Sequence, residues 1–173
     1  MEPNSTTNTR EKVVFDCNIF LQFLLNPNGP AGRCVQIALD GKVELLVSDA
    51  VLDELHDLPQ KAVAIKFGID ESTITRFVQS LLQQATYVAI VSEAFLHPID
   101  PDDSCYVNLA LAGNASLIVS RDKHLLGLND ATKVWSADFR SRFPNLRVVA
   151  VEKFLSEWDG RQPGASGKPL HPS

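Results

Sequence analysis

Four acidic residues stand where this sequence changes its local pattern. Asp16 closes the apolar run Val13-Val14-Phe15, Glu54 and Asp103 lie in helix-forming stretches, and Asp122 follows the apolar run Leu117-Ile118-Val119. Carboxylates brought together repel one another, so such a cluster is costly unless cations occupy it. Oxygen donors with no His or Cys among them suit magnesium or manganese better than zinc. Two such ions about 3.5–4 Å apart would activate water and stabilise the leaving oxygen in phosphodiester cleavage. Metal-assisted phosphodiester hydrolysis is therefore the chemistry open to these residues if the fold gathers them.

The elements that must gather them follow from the hydrophobic pattern. A short run of Val and Phe reads as a strand buried on both faces, as in a parallel sheet. Strands are expected at 13–15, 43–47, 86–91, 117–119 and 147–151, with a short extra strand at 133–135. Helices are expected at 19–25, 31–39, 50–58, 61–67, 71–85, 100–112, 137–142 and 152–158. Ser48 or Asp49 caps the third helix, and Asp100-Pro101 starts the 100–112 helix as cap and first-turn proline. Strands alternating with helices imply a parallel sheet covered on both faces, and ligands of such sheets bind at the carboxyl ends of the strands. Asp16 and Asp122 open onto that edge. Glu54 flanks the apolar stripe Val51, Leu52, Leu55 and Leu58, whereas Asp53 and Asp57 lie on the far side. Asp103 shares the side of Val107, Ala110 and Leu111, and Asp102 does not. Each acid alone has an ordinary explanation as a cap, a turn residue or a solvated charge. Their arrival at one rim is what carries information.

Composition narrows the classes. The chain has 173 residues, 45% of them hydrophobic, enough for one domain with a sizeable core. That domain is expected over residues 12–158, between a flexible 1–11 and a disordered, Gly/Pro/Ser-rich tail at 159–173. A formal charge of -5 argues against holding nucleic acid by bulk positive charge, though not against an enzyme whose bound cations meet the phosphates. Cys17, Cys34 and Cys105 form no Cys-x-x-Cys pair, which suits a reducing compartment. Neither a signal peptide nor an apolar run long enough to span a membrane is visible. His56, His97, His124 and His171 show no metal-binding spacing and read as surface or packing residues, as do Trp135 and Trp158 at the domain's edge. Arg33, Arg121 and Lys123 are candidate phosphate contacts, the last two because they flank Asp122.

Four blocks, Val13–Asn18, Ser48–Leu55, Asp100–Asp103 and Val119–Leu126, together resemble the PIN domain family, in particular the VapC-type toxins of bacterial toxin–antitoxin pairs. Val13-Val14-Phe15-Asp16-Cys17-Asn18 is similar to the family's opening Asp-x-Asn, and the segment from Ser48 to Leu55 to its Ser-x(5)-Glu-Leu block. Asp100-Pro101-Asp102-Asp103 resembles the Asp-Pro-x-Asp helix start. Val119-Ser120-Arg121-Asp122-Lys123-His124-Leu125-Leu126 resembles the Val-[Ser/Thr]-x-Asp-x-x-Leu-Leu segment. The resemblance covers most of the chain, and the last two blocks are its most specific part. It implies a three-layer α/β/α fold with a five-stranded parallel sheet of order 3-2-1-4-5. It also implies a cytoplasmic, magnesium- or manganese-dependent ribonuclease acting on single-stranded RNA. Asp16, Glu54, Asp103 and Asp122 would be its metal ligands and water-activating residues, with Asn18 and Ser120 as polar supports and Arg121 and Lys123 as RNA contacts. A homodimer and a small antitoxin protein are the partners implied. The chain departs from compact toxins in its longer central helical region and its Gly/Pro/Ser tail.

Two other readings compete. A phosphatase of the haloacid-dehalogenase type also places an Asp after its first strand, but wants a second Asp where this chain has Asn18. An inactive scaffold would act through protein contacts alone, against which stands the presence of all four acids.

Overall fold

Val13, Val14 and Phe15, each at most 1% exposed, form the centre of the sheet in β1 (Lys12–Phe15). The computed structural model describes residues 10–162. The expectations for residues 1–9 and 163–173 lie outside the described residues. The chain turns at once into α1 (Cys17–Leu25), two residues before the expected start, because the Asp16 side chain accepts from the Asn18 and Ile19 amides and so caps it. Pro30 opens α2 (Pro30–Leu39), followed by β2 (Glu44–Val47) and α3 (Asp49–Asp57). Ser48 occupies the cap position of α3 without making a side-chain capping bond. A 3-10 turn at Leu58–Gln60 leads to α4 (Ala62–Lys66) and α5 (Glu71–Leu82); of the stripe Ile74, Phe77, Val78, Leu81, Leu82 and Ala85 expected from the helical spacing, the first four are buried and Leu82 is exposed.

The third strand is shorter than expected. β3 covers only Thr86–Tyr87, and residues 88–97 run on without sheet pairing apart from the Val88 amide bonded to the Val47 carbonyl. Its partner β2 stops at Val47. Beyond that point side chains of the next helix take the backbone donors: Asn108 Oδ1 accepts from Ala94 and Phe95, and Ser104 Oγ from His97. Pro101–Asp103 is a 3-10 turn, so Asp103 precedes rather than occupies α6 (Ser104–Gly113). The helix runs one residue past its expected end, through Gly113, and left-handed Asn114 closes it. A side chain at Gly113 would collide with Leu46, which is why the helix can lie so close to the sheet.

β4 (Leu117–Ser120) and α7 (Lys123–Gly127) follow. The extra strand expected at 133–135 is instead a 3-10 turn at Val134–Ser136. Asp130 folds it: its carboxylate takes the Thr132 amide and hydroxyl, and its carbonyl takes the Lys133 amide and the Arg140 guanidinium. The chain closes with α8 (Ala137–Arg142), β5 (Arg147–Ala150) and α9 (Val151–Arg161), which starts one residue earlier and ends three residues later than expected.

All strand pairings are parallel and the order is β3-β2-β1-β4-β5. α6 packs on β1, β2 and β4, while α9 packs on β4, β5 and α2. Phe15 anchors the core, 5.9 Å from Phe154 and 6.0 Å from Phe20, which touches Phe77 at 5.7 Å. Strand order reverses between β1 and β4, and that switch point is where ligands bind in open α/β sheets.

Candidate functional site

Phe15 pairs with Val119, so the residues that follow them, Asp16 and Ser120, meet at the switch point. Asp16 is only 2% exposed. Its Oδ1 accepts from the amides of Asn18 at 2.7 Å and Ile19 at 3.3 Å, and its Oδ2 from the Ser120 hydroxyl and the Arg121 amide. Burial pushes its pKa up, against these donors, which pull it down. The Ser120 hydroxyl in turn accepts from the Asp122 amide at 2.8 Å. Asp122 caps α7 through Oδ1, taking the amides of His124 and Leu125. Capping and a place at the rim therefore coexist in both residues.

Glu54 is reached through a phenol. The Tyr106 hydroxyl donates to Glu54 Oε2 and accepts from the Cys17 amide at 3.0 Å, tying α3, α6 and the start of α1 together. Burial first, and then the Glu54 charge, raises the Tyr106 pKa, so the phenol stays protonated and a donor. Lys61 Nζ stands 3.6 Å from Glu54 Oε1.

Asp103 is partly buried among other acids. Its pKa is pushed up to about 7, chiefly by burial and then by the charges of Asp122, Asp100, Asp16 and Glu54. Its Oδ2 is buried with no hydrogen-bond partner among the described residues. Asp100, Asp103 and His124 each offer a ligand atom, all within 4.8 Å of one another. Asp100 occupies the cap position but accepts no capping bond. Its carboxylate lies 3.6 Å from His124 Nδ1, which is also buried and without a hydrogen-bond partner and lies 3.9 Å from Asp122 Oδ1.

The structure thus brings together the environments of Asp16, Glu54, Asp103, Asp122 and Ser120. Asn18 is exposed and meets Asp16 through its backbone amide. The Arg121 guanidinium is held by Glu152 at 2.7 Å, whereas exposed Lys123 has no ion-pair partner among the described residues. Sequence reasoning missed Asp100 as a donor, Tyr106, Lys61 and two histidines. His97 is 1% exposed; its Nδ1 accepts from the Asp100 amide at 3.0 Å and its Nε2–H donates to the His124 carbonyl at 3.2 Å. That pairing defines a neutral imidazole, and burial lowers its pKa. The only available signal was proximity in sequence, with His97 three residues before Asp100 and His124 two after Asp122.

The PIN domain model matches residues 12–124, which contain every acid of this rim, and the chain belongs to the PIN domain family. The uncharacterized protein MJ1680 of Methanocaldococcus jannaschii is 25% identical over 148 residues, covering 86% of this chain and 92% of that protein. Among solved structures, VapBC2 from Rickettsia felis, bound to a DNA fragment from its promoter, aligns with a TM-score of 0.50. That match covers 80% of this chain and 98% of the other at 14% identity, a likeness of fold.

Proposed function

We propose that this chain is a magnesium- or manganese-dependent endoribonuclease that cuts single-stranded RNA at the acidic rim. One observation carries the reading: Asp103 keeps a buried, unpartnered oxygen, and burial first and then four other carboxylates raise its pKa. Carboxylates gathered in this way repel one another, and a hard cation relieves the repulsion. The donor set fits such an ion, with Asp16, Glu54, Asp103 and Asp122 as its holders and Asp100 and His124 as further donors. When bound, the ion supplies Lewis-acid stabilisation of charge on the reacting phosphate. The chain's residues do the positioning. Ser120 and the first amides of α1 orient Asp16, and Tyr106 orients Glu54. Asn18 is a polar support at the mouth. Lys123 is available for a substrate phosphate, while Arg121 would first have to leave Glu152.

The reading extends to partners. In this reading the chain is a cytoplasmic toxin, acting as a homodimer and held by a small antitoxin protein; its membership of the PIN domain family and the fold it shares with VapBC2 are in keeping with that. Among the described residues no helix is long and apolar enough to cross a membrane. The phosphatase alternative is disfavoured because Asn18 carries an amide, which cannot protonate a leaving group. The test is incubation of end-labelled single-stranded RNA with manganese. EDTA and Asp16→Asn should each abolish cleavage, and cleavage surviving either would refute the assignment.

A further inference from the structure

We infer that the cavity between α7 and the Lys133–Trp135 segment is a nucleotide subsite. It seats one nucleotide of the substrate strand beside the acidic rim, with its base on Trp135 and its phosphate on Lys123 and Lys133. The inference rests on the nuclease reading above and names a site that the acids themselves do not supply.

The cavity has a volume of about 500 Å³, within the range of small-ligand clefts, and Ile99, Lys123, His124, Gly127, Lys133 and Trp135 line it. Its aromatic wall is fixed in place. A Cβ on Gly127 would lie 2.8 Å from the outer edge of the Trp135 indole, so that edge abuts the α7 backbone, and His97 packs beside the ring with centroids 5.5 Å apart. Trp135 is nevertheless only partly buried, which leaves indole surface for a ligand. A partly exposed indole held at its edge and lining the cavity suits base stacking, which tolerates any base because each has a π-face.

The charges around the cavity point the same way. Lys123 and Lys133 are both exposed, and neither has an ion-pair partner among the described residues. Two uncommitted cations on one small cavity are notable in a chain of formal charge -5. Asp130 also lines the cavity, with Oδ1 occupied by the Thr132 amide and hydroxyl. Its other oxygen is left to accept from an amino or ring N–H of a base.

The cavity also adjoins the acids. His124 borders this cavity and is also a member of the Asp100–Asp103–His124 cluster. A nucleotide in the cavity is therefore one side chain away from the acids. Holding the strand at that distance restricts the neighbouring phosphodiester to the rim, the positioning that a hydrolytic site requires.

The test is fluorescence anisotropy with a 5′-fluorescein-labelled single-stranded octauridylate. Calcium serves as the divalent ion, and probe integrity is checked on a gel. Trp135→Ala should weaken binding about tenfold, with Trp135→Phe restoring most of it. The exposed pair Lys123→Ala/Lys133→Ala, which leaves the core untouched, should weaken binding and reduce the slope of log affinity against log salt by about 1.4. Affinity like wild type in all three variants, or no binding of the probe by wild type, would overturn the subsite. Manganese-dependent cleavage by wild type in either case leaves the nuclease reading standing, and its absence removes that reading separately.

Discussion

Ser120, at the end of β4, donates its hydroxyl hydrogen to the carboxylate of Asp16, 104 positions earlier and at the end of β1. The same oxygen accepts from the Asp122 amide, so one hydroxyl links two acids of the rim. Ser120→Ala leaves Asp16 Oδ2 buried with only the longer Arg121 contact at 3.3 Å. The expected loss is about 1–3 kcal/mol in urea unfolding, together with weaker manganese binding by calorimetry. Unchanged values in both would show that the hydroxyl does not hold Asp16.

Asp103 makes metal-free stability depend on pH in a defined direction. Its folded pKa of about 7 lies above the roughly 3.9 of an unfolded Asp. Between those values the folded state binds more protons than the unfolded state, so stability falls as pH rises from about 4 to about 7. The contribution is fully present below that window and lost above it. Buried Asp16, also raised, acts in the same sense. Asp103→Asn should reduce the slope and make the metal-free protein melt higher than wild type at pH 8. It should also remove the stabilisation that manganese gives wild type. Thermal melts across pH, with and without manganese, measure both.

Tyr106 and Glu54 should behave as a unit. Tyr106→Phe removes the donor to Glu54 and the acceptor of the Cys17 amide, at an expected cost of about 1–3 kcal/mol. In a double-mutant cycle with Glu54→Gln the two losses should be non-additive, both in unfolding and in RNA cleavage. Strict additivity would dissociate the phenol from the site.

His124 brings a nitrogen donor to an oxygen-rich cluster. Magnesium takes oxygen ligands and keeps several of its waters, so it gains less than manganese from an imidazole nitrogen. His124→Gln should therefore weaken manganese binding several-fold and magnesium binding less. Equal changes for the two ions would place His124 outside the coordination sphere.

The parts of this account that were legible in the sequence are the parts set by local pattern. Val13–Phe15 and Leu117–Val119 are short apolar runs ending in polar residues, and the alternation of such runs with helices is enough to put Asp16 beside Ser120. β3 was misjudged because its length depends on where β2 ends and on Asn108 and Ser104, which capture the backbone beyond it. The Lys133–Trp135 turn was misjudged because Asp130, not strand propensity, sets its course. Asp100 has the sequence of a cap, and only side-chain orientation shows that it faces Asp103 and His124. Tyr106 sits on a largely apolar helix, where a phenol reads as core until its partner across the fold is known.

The most direct measurement is single-turnover cleavage of end-labelled single-stranded RNA in manganese. Wild type, wild type with EDTA, and Asp103→Asn are compared after circular dichroism has shown the variant to be folded. Cleavage is expected from untreated wild type alone. Cleavage by folded Asp103→Asn at the wild-type rate, or cleavage in EDTA, would contradict it.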